Sequence, residues 1–229
     1  MSLTTIADQY IQQGGEFVSP PSLFVEKLKA IRVVLFDWDG VFNNGTKHGD
    51  EGSIFSEVDA MGTNLLRYGL WRAYGAIPVS AIMTGENNPS AVHLARRECF
   101  TTVFTGTKNK GKAFKLFCEQ NHCSPEQVLF FADDVLDLEV ARQCGIHVII
   151  GRKSGVMFKQ WVRDNHLADY ITACDGGNHG LREAAEMILS LSGWFGDVIS
   201  NRMAFSENYQ QYLIDRKNTA TNHVALQQS

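Results

Sequence analysis

The feature that most constrains the fold of this chain is a repeated alternation of short apolar runs with helical patterns. Four apolar runs, four to seven residues long, cover 31–36, 77–83, 128–132 and 147–150. Amphipathic patterns of helical length follow them, at 62–74, 88–98, 110–122, 134–144, 155–165 and 180–191. Strands that alternate with helices of this length indicate a parallel sheet with helices on both faces. We therefore expect an α/β protein with a three-layer, Rossmann-like arrangement.

Polar residues follow the apolar runs where each run ends. They are Asp37 and Asp39 after the first run, Thr84 and Gly85 after the second, and Asp133 and Asp134 after the third. Lys110 stands at the start of a helical pattern. Open parallel sheets bind polar ligands beyond the carboxyl ends of their strands. The pattern therefore predicts that these residues line one site.

These residue types suit phosphoryl transfer through a covalent intermediate. Asp37 can accept a phosphoryl group if a cation screens its charge. Asp39 can protonate the leaving oxygen and later deprotonate a water molecule. The acidic pair after the third run offers the oxygen ligands that Mg²⁺ prefers. Thr84 and Lys110 can contact the phosphate oxygens, where negative charge must be held.

Each of these features has a simpler interpretation when it is taken alone. Most Asp-x-Asp pairs are turn or capping carboxylates, and Asp133-Asp134 could begin a helix, where acids favour the dipole. Lys110 lies between Lys108 and Lys112, as in a solvated charge run. Only the joint arrangement, four elements in a fixed order with three at strand ends, favours a catalytic site.

The motifs in this order resemble those of the haloacid dehalogenase superfamily of phosphatases. The matching segments are FDWDGVF at 36–42, MTGE at 83–86, Lys110, and ADDVLD at 132–137. Within the superfamily the chain is similar to the capless phosphatases of 3-deoxy-octulosonate 8-phosphate and of nine-carbon sugar-acid 9-phosphates. The resemblance covers residues 31–191 and implies a phosphoric monoester hydrolase.

The resemblance also implies roles for the site residues. Asp37 would be the nucleophile, Asp39 the general acid and base, and Thr84, Gly85 and Lys110 the phosphate ligands. Mg²⁺ would be held by Asp37, the main-chain carbonyl of Asp39 and Asp133, with Asp134 supporting the site.

The residues that would contact the rest of the substrate depart from the family pattern. Related enzymes carry an arginine before the aspartate that corresponds to Asp59, whereas this chain has Val58 there. Glu86 stands where many relatives have an arginine, a variant that resembles the nine-carbon sugar-acid enzymes. An anionic sugar acid needs a positive partner, and we expect Arg97 to supply it, with Arg67, Arg72 and Arg96 as alternatives. Asp59, Glu86 and Arg97 are thus the expected substrate-binding residues.

The spacing of the motifs leaves no room for a cap domain. Only 47 positions separate Asp37 from Thr84, and 23 separate Lys110 from Asp133. We expect an N-terminal segment with a short helix at 1–30, the phosphatase domain at 31–191 and a C-terminal helical tail at 192–229, with one amphipathic helix over 197–217. A β-hairpin is expected at about 43–58. Capless relatives cover each active site with a neighbouring subunit, so we expect a homotetramer.

Composition excludes several other classes of protein. The net charge is −4, so no basic excess exists for nucleic-acid binding. The apolar runs are too short to cross a membrane, and the N-terminus lacks a secretory signal, which favours a cytoplasmic location. The five cysteines contain no CxxC pair, which argues against a zinc site or a disulfide framework.

Three alternatives compete with the expected enzyme, a Mg²⁺-dependent phosphatase acting on a small phosphorylated sugar or sugar acid. A non-catalytic oligomerisation module with this fold, associated with sugar-nucleotide metabolism, would tolerate degenerate motifs, but every chemical residue is present here. A phospho-receiver domain places its phosphorylated aspartate after the metal-binding acids, which is the opposite order. A phosphomutase would need a cap.

Overall fold

The computed structural model describes residues 1–226. Its helices are α1 Leu3–Gln12, α2 Pro21–Leu28, α3 Glu57–Tyr74, α4 Pro89–Arg97, α5 Lys110–Gln120, α6 Leu138–Ala141, α7 Val156–Asp164, α8 Gly180–Leu191, α9 Phe195–Met203 and α10 Glu207–Lys217. Its strands are β1 Glu16–Phe17, β2 Val33–Phe36, β3 Val79–Met83, β4 Thr102–Thr105, β5 Val128–Ala132, β6 Ile146–Gly151, β7 Tyr170–Asp175 and β8 Asn222–Ala225. Short 3₁₀ turns lie at Gly49–Glu51, Pro125–Gln127 and Val135–Asp137.

Within the described residues, the strands form one sheet in the order β1-β7-β6-β5-β2-β3-β4-β8. All neighbouring pairs are parallel except β1 with β7. The chain leaves β2 in the middle of the sheet and continues to β3 on one side, then later to β5 on the other. This reversal opens a crevice at the carboxyl ends of β2, β3 and β5, where ligands of such sheets bind.

Helices cover both faces of the sheet because the central strands are apolar on both sides. Val34 and Phe36 of β2 face a core that includes residues of α2, α3, α4 and α8. Val33 and Leu35 of the same strand face a second core beside α5. Side chains of successive strand residues point to opposite faces, so a strand buried on both faces is apolar throughout. The expected three-layer α/β architecture is confirmed.

In the segment expected to form a β-hairpin, residues 43–58, the part up to residue 56 forms a loop without paired strands. His48 N–H donates to the Gly52 carbonyl at 2.8 Å, and Ser56 N–H donates to the Phe42 carbonyl at 2.9 Å. These two bonds keep a hairpin-like path around the 3₁₀ turn, and α3 then begins at Glu57. A two-stranded hairpin without a third strand is marginal in water. The difference from the expectation therefore lies in the strand ladder and not in the path of the chain.

The two ends of the chain contain more structure than the sequence patterns indicated. Besides the expected short helix, the N-terminal segment contains α1 and the edge strand β1. The tail forms two helices where one was expected over 197–217, because Phe205 takes a positive φ of 48° between them. It then returns to the sheet as β8, parallel to β4. Residues 227–229 of the expected tail lie outside the described residues.

Among residues 1–226, no helix is both long enough and apolar enough to span a bilayer.

Candidate active site

A cavity of about 730 Å³ lies at the carboxyl edge of the sheet. It is lined by residues that follow β2, β3, β5, β6 and β7, together with Lys110 at the first turn of α5. The register explains why these loops meet, because Phe36 of β2 pairs with Ile82 of β3 and with Phe131 of β5. Residues just beyond each pair are therefore brought to the same edge.

Lys110 lies at the bottom of this cavity between two carboxylates. Its Nζ atom is 2.5 Å from Asp37 Oδ1 and 2.5 Å from Asp137 Oδ1. All three side chains are buried, with exposed fractions of 4%, 6% and 2% respectively. Burial alone would lower the pKa of Lys110, but the two carboxylates outweigh it and the pKa is raised. Lys110 is therefore a fixed positive charge beside Asp37.

Asp133 completes a buried cluster of three acids. One carboxylate oxygen from each of Asp37, Asp133 and Asp137 lies within 4.8 Å of the others. Burial raises the pKa of Asp37 to about 7, although Lys110 opposes the shift. Burial, together with the charges of Asp37 and Asp137, raises the pKa of Asp133 to about 8. The cluster therefore holds more negative charge than its surroundings can compensate.

Asp134 points away from this cluster. Its carboxylate accepts a hydrogen bond from Val135 N–H at 2.7 Å, which caps the 3₁₀ turn, and its side chain is 48% exposed. Arg152, in the loop after β6, joins the two neighbouring aspartates. Its Nη1 donates to Asp133 Oδ2 at 2.9 Å and its Nη2 to Asp134 Oδ2 at 2.6 Å.

Asp39 lies nearer the mouth of the cavity. It accepts hydrogen bonds from Lys47 Nζ at 2.7 Å, from Asn88 Nδ2 at 3.1 Å and from the Ser53 hydroxyl. The same Asn88 amide donates to the buried Thr84 hydroxyl at 2.8 Å. Asn88 thus links the loop after β2 to the end of β3 and holds Asp39 and Thr84 in one network.

Two glycines allow the loops around the cavity to approach each other. Gly40 has a φ of +83°, and a Cβ atom there would lie 2.1 Å from Asp133 Oδ2. A Cβ atom on Gly176 would lie 1.9 Å from the Gly40 carbonyl oxygen. Only residues without a side chain fit these positions, so the Gly40 of the first motif is explained by the close approach of Asp133.

Comparison with known proteins supports the assignment that the motifs indicated. No protein-family profile matches the chain. A curated relative, the 3-deoxy-D-manno-octulosonate 8-phosphate phosphatase of Escherichia coli K12, is 26% identical over 173 residues, or 74% of this chain and 85% of the relative. The cobalt-bound enzyme of the same name from Haemophilus influenzae has a TM-score of 0.61 at 25% identity, covering 74% of this chain and 93% of that one. The chain is thus similar in sequence and in fold to phosphatases of the haloacid dehalogenase superfamily, as the motifs indicated.

A third structure extends the fold comparison within this superfamily. The 3-deoxy-D-manno-octulosonate 8-phosphate phosphatase of Moraxella catarrhalis was solved in complex with magnesium ion, phosphate ion and KDO. It has a TM-score of 0.61 at 23% identity and covers 77% of this chain and 96% of its own. The chain therefore has the fold of these haloacid dehalogenase phosphatases. The expected enzyme class, a phosphoric monoester hydrolase, is confirmed by the curated relatives.

The residues expected to bind the rest of the substrate do not all reach the cavity. Glu86 lines it, and so does Gly85. Asp59 is buried between α3 and α8, where its Oδ1 accepts from Arg182 N–H at 2.9 Å. Arg97, at the end of α4, is bound to Glu57 and Glu98. The side chains of Asp59 and Arg97 are therefore held by local partners and do not line the cavity.

Three residues of the site have no role that the sequence patterns predict. Asp137 is part of the acidic motif, but the motif alone indicates no function for it, and no pattern singles out Arg152 or Asn88. The spacing Asp134-x-x-Asp137 is typical of a capping box. In a capping box the first side chain caps the turn, and the side chain of the fourth residue accepts a hydrogen bond from the backbone N–H of the first. The signal was thus present for Asp137. For Arg152 the sequence shows only a polar residue after an apolar run.

The donor set fits a divalent cation of the hard type. Seven acidic and five basic residues line the cavity, which leaves a formal charge of −2 among its described residues. The buried cluster Asp37, Asp133 and Asp137 offers carboxylate oxygens only, the ligands that Mg²⁺ prefers. Burial, and next to it the charges of the neighbouring acids, raise the pKa of Asp37 and Asp133. One divalent cation would neutralise the lining of the cavity.

Proposed function

We propose that this chain is a Mg²⁺-dependent phosphatase that hydrolyses a small phosphorylated sugar acid through an aspartyl-phosphate on Asp37. The observation that carries the proposal is the position of Asp37, buried at the end of β2 with Lys110 at 2.5 Å and Asp133 in the same acidic cluster. A carboxylate held against a fixed ammonium group, in a pocket that accepts a cation, is suited to attack phosphorus.

The first step of the proposed reaction forms a bond between an Asp37 oxygen and phosphorus. The bond from phosphorus to the sugar oxygen breaks, and Asp39 donates the proton that the leaving oxygen needs. In the second step a water molecule attacks phosphorus and gives its proton to Asp39, which releases inorganic phosphate and regenerates both aspartates. Asp39 fits this role because it lies closer to the solvent than Asp37, in contact with Lys47 and Ser53.

We assign phosphate binding to Lys110 and Gly85, which line the cavity, and to Thr84, which is buried directly beside Gly85. Lys110 carries the charge that faces the phosphate oxygens, and Thr84 offers a hydroxyl held by Asn88 at 2.8 Å. Gly85 lines the cavity directly after Thr84. Charged and polar donors fixed in a buried site stabilise the negative charge of the transition state.

The cation would be held by Asp37 and Asp133, with the main-chain carbonyl of Asp39 as the third protein ligand. Asp137 contributes the remaining acid of the buried cluster, whereas Asp134 supports the site from outside through Arg152. A bound Mg²⁺ screens the charge of the carboxylates and of the phosphoryl group from each other.

The substrate class is supported by the relatives. The Escherichia coli and Haemophilus influenzae proteins are phosphatases of 3-deoxy-D-manno-octulosonate 8-phosphate. An eight-carbon sugar acid fits a cavity of about 730 Å³, since pockets of about 300–1,000 Å³ hold ligands of this size. We therefore favour an octulosonate 8-phosphate or a nonulosonate 9-phosphate. The cytoplasmic location stays a prediction from the N-terminal sequence.

A homotetramer remains our proposal for the assembly. The motif spacing leaves no cap, and the cavity is partly open to solvent. Ile54, in the loop before α3, is 66% exposed, and Val58 in the first turn of α3 is also exposed. Exposed apolar groups that a single subunit does not bury fit a contact between subunits.

The test of the proposed function is phosphate release from a panel of phosphorylated sugars and sugar acids in the presence of Mg²⁺. The wild-type chain should release phosphate from a sugar-acid phosphate, and Asp37→Asn should abolish release because an amide does not accept the phosphoryl group. Asp164→Asn, an exposed aspartate on α7, is the matched control and should keep full activity.

Two outcomes would contradict the proposal. Turnover by Asp37→Asn at the wild-type rate, with deamidation excluded by mass spectrometry, would remove Asp37 as nucleophile. An absence of release from the whole panel by folded wild-type protein would favour the non-catalytic oligomerisation module.

A further inference from the structure

Arg152 is the one arginine, among the described residues, that lines the cavity. It lies in the loop that follows β6. Its position follows from the register, because Ala132 of β5 pairs with Ile149 of β6 and the residues beyond both strands become neighbours. Its guanidinium group is fixed by hydrogen bonds to Asp133 and Asp134, while its side chain stays 38% exposed. A ligand in the cavity can therefore reach it.

The other arginines that were candidates for the positive partner, Arg67, Arg72, Arg96 and Arg97, do not line the cavity. Arg67 is fully buried and donates to the carbonyls of Glu98 and Cys99. Arg97 is bound to Glu57 and Glu98, as described above, and Arg72 is bound to Asp197 at 3.0 Å. The cation that the substrate's acid group needs must therefore come from another part of the chain.

The contacts of Arg152 allow it to change partners. Asp133 is one of the cation-binding acids, and a cation bound to its carboxylate competes with the guanidinium for the same oxygens. The remaining contact, to the half-exposed Asp134, is of the exposed kind that contributes little stability. A guanidinium group is a planar fork of donors that matches a carboxylate at two points. When Asp133 binds the cation, Arg152 thus has donors free for a second carboxylate.

We propose that Arg152 determines specificity by binding the carboxylate of the sugar acid once the cation has taken Asp133. This inference rests on the proposed function. It assigns the positive partner to the loop after β6, in place of the arginines of α3 and α4.

The first experiment measures binding without turnover. Isothermal titration of the Mg²⁺-loaded protein with 3-deoxy-octulosonate, which has the carboxylate but no phosphate, compares the wild type with Arg152→Gln and Arg152→Lys. The affinity should fall roughly tenfold to a hundredfold in Arg152→Gln, the range expected for a lost charged hydrogen bond. The affinity of Arg152→Lys should lie between those of the wild type and Arg152→Gln, because lysine keeps the positive charge but lacks the planar guanidinium group. Arg142→Gln, an exposed arginine on the same face as Glu139, is the matched control and should bind as the wild type does.

The second experiment measures specificity. The ratio of kcat/KM for the sugar-acid phosphate to kcat/KM for para-nitrophenyl phosphate should fall about tenfold in Arg152→Gln and stay unchanged in Arg142→Gln. An equal loss on both esters would overturn the proposal, because Arg152 would then serve the phosphate or the cation and not the carboxylate.

A third measurement separates a direct role from one that acts through Asp133. Arg152→Gln should bind Mg²⁺ at least as tightly as the wild type, since a competitor for Asp133 has been removed. Weaker Mg²⁺ binding by the variant would show that Arg152 positions Asp133, and the proposal would fail.

If the wild type releases no phosphate from any ester, the proposed function fails, and the titration with the unphosphorylated acid still decides the role of Arg152. The proposed role of Arg152 is overturned if Arg152→Gln binds 3-deoxy-octulosonate as tightly as the wild type does, or if the wild type does not bind it.

Discussion

Replacing Lys110 by methionine should destabilise the cation-free protein in a way that depends on pH. The ammonium group lies 2.5 Å from both Asp37 and Asp137, and all three side chains are almost completely buried. Methionine fills a similar volume but leaves two buried carboxylates without their cation. Breaking a buried ion pair by removing one partner costs about 3–5 kcal/mol of the free energy of unfolding. We expect a loss of this size in chelator at about pH 8. At this pH the folded variant must either keep uncompensated carboxylates or protonate groups that are ionised in the unfolded chain.

The loss should become smaller as the pH falls. Burial already raises the pKa of Asp37 to about 7, and removing Lys110 removes an opposing effect, so this pKa rises further. A carboxyl group with a raised pKa binds its proton more tightly in the folded state, so the free energy of unfolding increases as the pH falls toward that pKa and below it. Protonation at about pH 5 therefore relieves part of the cost in Lys110→Met.

Urea titrations followed by tryptophan fluorescence measure this effect at both pH values. Lys108→Met is the matched control, because Lys108 and Glu86 form an ion pair in which both side chains are 52% exposed. Such exposed pairs contribute about 0–1 kcal/mol. The double variant Lys110→Met/Asp137→Asn should recover part of the loss, since one uncompensated carboxylate is removed. A loss in Lys110→Met no larger than in Lys108→Met, or one independent of pH, would refute the reasoning.

The remaining predictions concern the cation, a buried histidine and the assembly. Dialysis against EDTA should abolish phosphatase activity and added Mg²⁺ should restore it; undiminished activity after chelation contradicts the cation site. Burial lowers the pKa of His147, so its protonation opposes folding, and its contribution to the free energy of unfolding should fall as the pH drops below about 6.5, against the opposite contributions of Asp37 and Asp133. In denaturant titrations the free energy of unfolding of His147→Asn should therefore rise more steeply than that of the wild type as the pH falls, and an unchanged pH dependence would count against this assignment. Ile54→Asp should shift light scattering from a tetramer toward the 25.5 kDa monomer, whereas Ile11→Asp on α1 should not; a monomeric wild type with full activity refutes the shared site.

The central strands could be predicted from the sequence because they are buried on both faces. An uninterrupted apolar run such as that of β5, VLFFA, has one common explanation in an α/β chain. The edge of the sheet gave no such signal. Strand β8 is mostly exposed and contains Asn222 and His223. It forms because its backbone hydrogen-bonds to β4, which is distant in the sequence. Local composition could not predict a strand stabilised by a distant partner.

The helices at the ends of the chain had signals of a different kind. Ser2 caps α1 by accepting from Thr5 N–H, and Ser206 caps α10 by accepting from Tyr209 N–H. A serine before a helical pattern is a recognised start signal. Ser206 could have divided the single helix expected over 197–217, whereas the positive φ of Phe205 that accompanies the break has no sequence signature.

The residues of the site also differ in whether the sequence predicts their positions. Asp37, Thr84 and Asp133 could be predicted as neighbours because each directly follows a strand, and the topology brings strand ends together. Arg152 could not, since its contact with Asp133 depends on the register between β5 and β6. Asp59 was expected from the family pattern, and Arg97 as a substitute for the arginines that this chain lacks. In this chain each satisfies its charge or hydrogen bonds at a helix interface.

The acidic cluster links cation binding to the stability of the fold. A ligand that binds only the folded state raises the free energy of unfolding, by about 2.7 kcal/mol at a hundred times its Kd. The unfolded chain does not hold Asp37, Asp133 and Asp137 within 4.8 Å of one another, so it offers no comparable site. The burial that raises the pKa of Asp37 and Asp133 is therefore a cost to the cation-free fold and a source of affinity for the cation. Lys110 offsets part of that cost from inside the cavity, and Arg152 offsets another part from its rim until the cation takes Asp133.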